Sequence, residues 1–403
     1  MDKLRALENV PGFKVATVAA KIRDWEAPRH DLALVVADAP ATTAAVFTLN
    51  QVAAAPVKIG RKHLKATGGV ARAILVNAGV ANACTGREGR NNALRTLRRV
   101  ADKIKAPVEQ ILCASTGVIG RQLPMDRMEK GIDQAASALG RAKPGDFAKA
   151  IMTTDIRPKE ASLLLDTDDG VVISGACKGS GMIAPNMATM LSFILTNAAV
   201  SPKALKAALA ETVGATFNMV SVDGDTSTND SCFIMASGVT DGPAIDKPSG
   251  KRFDKFLAGL YEISLSLSRQ IAADGEGATK LVKIRVVNAK KHKDAAAAAK
   301  TIAESPLVKT AMFGNDPNWG RIICALGRSA AKVDEAKVSM TLCGHRMFSK
   351  GSPVLFDAAK ISELMKAKEV ELEVDLGLGK ADALMLTCDF SYDYVKINAD
   401  YTT

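Results

Sequence analysis

Aromatic side chains are scarce, at 4% of 403 residues with two tryptophans. A core here has to be assembled from Ala, Val, Leu, Ile and Met rather than from stacked rings. Histidine is scarcer still. The four histidines (His30, His63, His292, His345) are scattered and form no HExxH, which argues against a metal centre or a Ser-His-Asp triad and leaves them generic surface roles. Seven cysteines, odd in number and without a CxxC pair, read as reduced thiols. No apolar run approaches the ~18 residues of a membrane helix, and the N-terminus has no uninterrupted apolar segment. A soluble, cytoplasmic protein with no membrane partner is the expectation. The basic runs "RKHLK" and "AKKHKD" lack interleaved aromatics, so nucleic acid is not an expected partner. There is no GxxxxGK[ST], and "GSGMIAP" lacks the third glycine of a dinucleotide fingerprint.

What is present describes a globular enzyme-sized chain. Apolar residues make up 47% and charged residues 24%, with 31 glycines and a net charge of +10. That charge is mostly a solvated basic surface, and it also favours anionic ligands. Strand-like runs dominate the first third: "LALVVAD", "AAVFTLN", "ARAILVNAG" and "EQILCASTGVIG". Helical spacing appears in "NNALRTLRRVADKI", "MDRMEKGIDQAASALG", "PKALKAALAETVGATF" and "DKFLAGLYEISLSLSRQIAAD". "KLVKIRVVNA" and "EVELEVDLGLG" read as strands, and "DALMLTCDFSYDYVKINADY" as a final hairpin. Mixed elements without a regular βαβα rhythm predict an α/β (α+β) layered fold.

Two segments carry chemistry. In "SVDGDTSTNDS", Asp223-x-Asp225-x-Ser227 resembles the aspartate loop of magnesium-dependent phosphatases, yet a polar turn satisfying its own backbone accounts for it better. An EF-hand fails because Thr228 stands where glycine is needed and Ile234 where the bidentate Glu belongs. The second is "KGSGMIAPNMATMLSFILT", where Thr189 sits between a glycine-containing loop and an apolar run. A threonine hydroxyl needs a base to be a nucleophile. Its own α-amine, with a reference pKa of about 8, would serve if the Ala188–Thr189 bond were cut. Gly179 and Gly181 permit unusual dihedrals in the preceding loop, and Ala188 offers little bulk around its carbonyl.

The wider wording resembles the ornithine acetyltransferase (ArgJ) family of glutamate N-acetyltransferases. Blocks in family order are "AAVFTLNQVAAAPV", "NAGVANACTG", "ASTGVIGRQLPM", "IMTTDIRPK", "KGSGMIAPNMATML", "SVDGDTSTNDS", "DGEGATK", "GNDPNWGRI" and "INADYTT". The resemblance implies an ArgJ/DmpA-like sandwich of stacked β-sheets flanked by helices. It implies self-cleavage at Ala188–Thr189 into an α segment (1–188) and a β segment (189–403), intertwined in one protomer and paired as an α2β2 heterotetramer. Thr189 would be the nucleophile, with the Thr116 hydroxyl and the Gly117 N–H as oxyanion hole. Thr153, Lys178, Thr189, Glu276, Asn398 and Thr403 would bind substrate. The implied reaction is ping-pong: N2-acetyl-L-ornithine acylates Thr189 and L-glutamate takes the acetyl group. No metal or bound cofactor is implied; acetyl-CoA is a second donor that some members of the family accept. The rival reading is a self-processing N-terminal-threonine amidohydrolase or aminopeptidase with water as acceptor. Departures from the family wording are Ala78 and Val80 in the NAGVANACTG block and Ile156 in "TTDIRPK".

Overall fold

The computed structural model describes residues 6–184 and 190–400. Two mixed sheets are built from fifteen strands among them. Strands β1 (Phe13–Val18), β2 (Leu32–Phe47), β3 (Val70–Val80), β4 (Ile111–Val118), β5 (Lys159–Leu164), β6 (Val172–Lys178) and β7 (Leu191–Thr196) belong to the first sheet. β8 (Val220–Ser221) belongs to the second and β9 (Ser231–Ala236) to the first. The second sheet is completed by β10 (Leu281–Ala289), β11 (Ser339–Leu342), β12 (His345–Ser349), β13 (Ser352–Pro353), β14 (Glu369–Asp375) and β15 (Ala381–Cys388). The first sheet runs β4-β3-β2-β9-β7-β6-β5, with β1 also on β2; the second runs β13-β12-β11-β14-β10-β15-β8.

Helices Pro202–Ala215 and Lys251–Ala273 supply the core between the sheets. Leu205, Leu209, Leu260 and Leu267 meet Ile173, Ile194 and Ile234 of the first sheet and Leu281 and Leu386 of the second. The other core of the second sheet is alanine-rich, with Ala295, Ala298 and Ala299 of helix His292–Ala303 against Val282, Ile284 and Val286. Small side chains let this helix lie close to the sheet, as a chain poor in aromatics requires. The few rings are concentrated: Phe147, Phe193 and Phe233 pack edge-on and stacked in one cluster on the first sheet.

Two expectations differ from the structure. "LALVVAD" and "AAVFTLN" are not separate strands but lie on one strand of sixteen residues, β2. Its first half pairs with β1 and its second half with β9, and a register shift against β3 between Val36 and Ala41 accommodates Pro40. The final hairpin is also wrong. β15 is followed not by a partner strand but by helix Tyr392–Asp400. Asp389 ends the strand by accepting from the N–H groups of Thr279 and Lys280, which turns the chain back over the Gly277 turn.

Candidate active site

The first sheet brings several strand ends to one place. Lys178 closes β6 and pairs with Leu191 at the start of β7, and Leu191 pairs with Ser231 at the start of β9. Thr116 and Gly117 lie near the end of β4, opposite Ala78 and Gly79 of β3. Gly117 has φ +127°, and a Cβ there would stand 2.2 Å from the Gly79 carbonyl carbon, so no other residue fits this approach. Asn229 bolts these ends together, donating from Nδ2 to the carbonyls of Ala81 (2.6 Å) and Ser115 (2.8 Å).

These elements line a cleft of about 210 Å³ that holds Thr116, Gly117, Thr153, Lys178, Glu276 and Asn398. Six residues named from the sequence therefore share one cavity, although up to 282 positions separate them. Ala188, Thr189 and Thr403 lie outside the described residues. Met190, the residue after Thr189, lies beside the cleft: its N–H donates to Asp230 Oδ1 at 3.1 Å and its carbonyl accepts from the Ser231 N–H.

The cleft is electrostatically divided. Lys178 is buried, with its nearest carboxylate, Asp155, 4.0 Å away. Burial pushes its pKa down, opposed by Asp155 and Glu276. Asp155 is committed elsewhere. It accepts from Lys159 (2.7 Å), from the Gly179 N–H (2.7 Å) and from the Thr153 N–H (3.0 Å), which orients two cleft segments at once. Burial raises its pKa, but Lys178 and Lys159 outweigh that and bring it to about 2. Lys159 also binds Asp274 at 2.6 Å, completing a buried network behind the cleft.

On the opposite side Glu276 accepts from Asn398 Nδ2 at 3.1 Å. A Cβ on Gly181 would lie 2.3 Å from the Glu276 carboxylate. Gly181 is therefore needed for close approach, whereas Gly179 has the unusual dihedral, φ +153°. Lys178 and Glu276 line one cleft together with Thr116 and Gly117, so a cation and a carboxylate are both available to the two ends of a zwitterion.

Sequence reasoning gave no site role to Asn229, Asp230 or Tyr394 and placed Asp223 in a polar turn. Asp223 is not arranged as a phosphatase nucleophile: its two oxygens accept the N–H groups of Met182 (2.5 Å) and Ile183 (2.9 Å), with burial raising its pKa to about 6. The polar turn also satisfies its own backbone, with Asp223 Oδ1 accepting from the Asp225 N–H (3.2 Å) and Ser227 Oγ from the Asn229 N–H (3.0 Å). No metal-holding cluster of His, Cys, Asp or Glu occurs among the described residues. Burial raises the Asp230 pKa well above its ordinary value, opposed by the Met190 N–H, Lys178 and Ser227. The hint was available in "STNDS": polar residues directly before the wholly apolar-facing strand "SCFIMA" mark a sheet end. His63 corrects the surface reading of the histidines, since it is buried with Nδ1 on the Ile111 carbonyl.

Known proteins agree with this architecture. The family model described as "ArgJ family" matches residues 14–403. The arginine biosynthesis bifunctional protein ArgJ of Nitratidesulfovibrio vulgaris is 45% identical over 97% of this chain and 98% of its own. That of Geobacter sulfurreducens is 45% identical over 98% of this chain and 100% of its own. The crystal structure of the arginine biosynthesis bifunctional protein ArgJ from Bacillus halodurans is 39% identical and superposes with a TM-score of 0.52; all of that chain aligns with 53% of this one. With a matching family model over nearly its whole length and these relatives, the chain belongs to the ArgJ family.

Proposed function

We propose that this protein transfers the acetyl group of N2-acetyl-L-ornithine to L-glutamate through an acetyl-Thr189 enzyme, after cutting its own Ala188–Thr189 bond. The carrying observation is the meeting of Thr116, Gly117, Lys178 and Glu276 in one cleft beside Met190, the residue bonded to Thr189. The names of the relatives, which are arginine biosynthesis bifunctional proteins, support the same pathway.

In processing, the Thr189 hydroxyl attacks the Ala188 carbonyl, the acyl group shifts from nitrogen to oxygen, and water hydrolyses the ester. The freed α-amine then acts as base. In turnover that amine takes the hydroxyl proton as Oγ attacks the acetyl carbonyl, and returns it to the departing ornithine nitrogen. Glutamate reverses the sequence. Thr116 and Gly117 would donate to the oxyanion in both halves. Lys178 would pair with the substrate carboxylate and Glu276 with a substrate amine, with Thr153, Asn398 and Thr403 completing the pocket. No bound cofactor or metal enters these steps. The word "bifunctional" in the relatives' names supports acetyl-CoA as a further donor. A solved relative whose chain is about half this length supports the cut. We place the enzyme in the cytoplasm as an α2β2 assembly, in keeping with its seven free thiols.

The test is mass spectrometry of the purified protein before and after acetylornithine. Two chains, one beginning at Thr189 and gaining an acetyl group that glutamate removes as N-acetylglutamate, is the expected result. An uncut chain would overturn the mechanism. Acetyl release at a rate indifferent to glutamate would replace the transferase by the hydrolase.

A further inference from the structure

A second and larger cavity, about 600 Å³, lies between helices Ala55–Ala66 and Gly86–Ile104. Its rim carries Lys58, Lys62, Arg87 and Arg90. None of these four side chains has an ion pair or hydrogen bond among the described residues. Four uncompensated cations around one concavity repel one another, and an anion relieves that repulsion. The helix Gly86–Ile104 also starts here without a side-chain cap, because the Thr85 hydroxyl donates to Asn82 Oδ1 instead. Its first N–H groups add a positive pole to the same opening.

His63 is an independent pointer to a ligand. It is 95% buried by its 5% exposure, it lines this cavity, and its Nδ1 is engaged by the Ile111 carbonyl. A carbonyl only accepts, so Nδ1 holds the proton and Nε2 has no partner among the described residues. An acceptor atom on a buried ring suits a hydroxyl such as that of a ribose. Val52, Ile59 and Leu94 give the cavity an apolar side as well. Cationic rim, hydroxyl acceptor and apolar wall together match a phosphorylated nucleoside better than a simple anion.

The two cavities are back to back. Ala81 and Thr228 line the first, Ala53 and Asn82 the second. Between them Ala54 packs on Ala81 and Ala83, and the N–H groups of Ala54 and Ala55 donate to the carbonyls of Thr228 (2.8 Å) and Asn82 (3.4 Å). Ile119 packs against these alanines in the same partition.

We propose that this cavity is a second ligand site, which takes a phosphorylated nucleoside. Phosphate is the recognised chemistry, and free inorganic phosphate is its other source.

Cys84 is exposed and lines this cavity, whereas Cys324 is exposed elsewhere, so the two thiols make a reporter and its control. The experiment is iodoacetamide labelling of the full-length protein with peptide mapping, using adenosine 3′,5′-bisphosphate and inorganic phosphate as probes. The bisphosphate should slow labelling of Cys84 and leave Cys324 unchanged. The Arg87→Ser/Arg90→Ser variant should need at least about tenfold more probe, the loss expected for a charge-assisted pair. Protection by the bisphosphate at lower concentration than phosphate assigns the nucleotide; equal protection by phosphate assigns the free anion. No protection by either probe, or undiminished protection of the variant, overturns the site. Acetylornithine-to-glutamate transfer is measured on the same samples. Its absence with Cys84 protection intact counts against the reading of the first cleft and not against the second site.

Discussion

At the scale of single residues, Asp155 and Lys178 show how one buried charge network shapes a site. Asp155 holds Lys159 and the backbone of Thr153 and Gly179. Asp155→Asn leaves Lys159 with Asp274 alone and Lys178 without its nearest carboxylate. Denaturant titration should show a loss of about 3 kcal/mol, the lower end for breaking a buried pair. Because the folded pKa of Asp155 is depressed from 3.8 to about 2, its contribution is complete above the unfolded value and is lost as pH falls through about 2. The acid limb of a stability–pH curve should therefore flatten in the variant. Lys178 carries the opposite sign: its pKa is lowered, so it loses its proton below the ordinary lysine range. The KM for glutamate should rise at a pH where a surface lysine is still charged. Lys178→Met should raise that KM by about tenfold or more at neutral pH, with a smaller change in kcat.

At the scale of elements, the C-terminal helix belongs to the site more than to the core. None of the residues of Tyr392–Asp400 is buried, yet Asn398 reaches Glu276 and Tyr394 lines the cleft. A chain ending at Phe390 should keep its Tm within a few degrees while transfer falls at least about tenfold, since a part-buried charge-assisted bond at the cleft is lost with little apolar area. A large drop in Tm would instead assign the helix a structural role. The β3–β4 pair behaves differently. Gly117→Ala sets a Cβ against Gly79 in a parallel ladder, so the ends of both strands must separate. That variant should lose activity even where circular dichroism shows native secondary structure.

At the scale of the molecule, the bond proposed to break stands in sequence between strands that interlock in one sheet. β7 and β9, which follow it in sequence, are inserted between β2 and β6, which precede it. Cutting the chain there leaves the ladder hydrogen bonds among the described residues in place. The two fragments should therefore co-elute in size-exclusion chromatography and part only under denaturant; separation in native buffer would contradict this sheet order. No helix among the described residues is long and apolar enough to cross a membrane.

The sequence by itself determined the element types wherever periodicity was strong, as in helix Lys251–Ala273 and strand β14, because the burial pattern of one face is written in the spacing of apolar residues. It also carried the family wording, and with it the names of the cleft residues. Tertiary structure decided what depends on contacts distant in sequence. β2 became one strand because two different partners share its edge, which no local pattern encodes. The last segment became a helix rather than a strand because Asp389 turns the chain at Thr279 and β15 is already paired on both sides, with β10 and β8. Asn229 and Asp230 read as turn residues until folding set them between strand ends, and the four cations of the second cavity read as ordinary surface charge until two helices brought them around one opening.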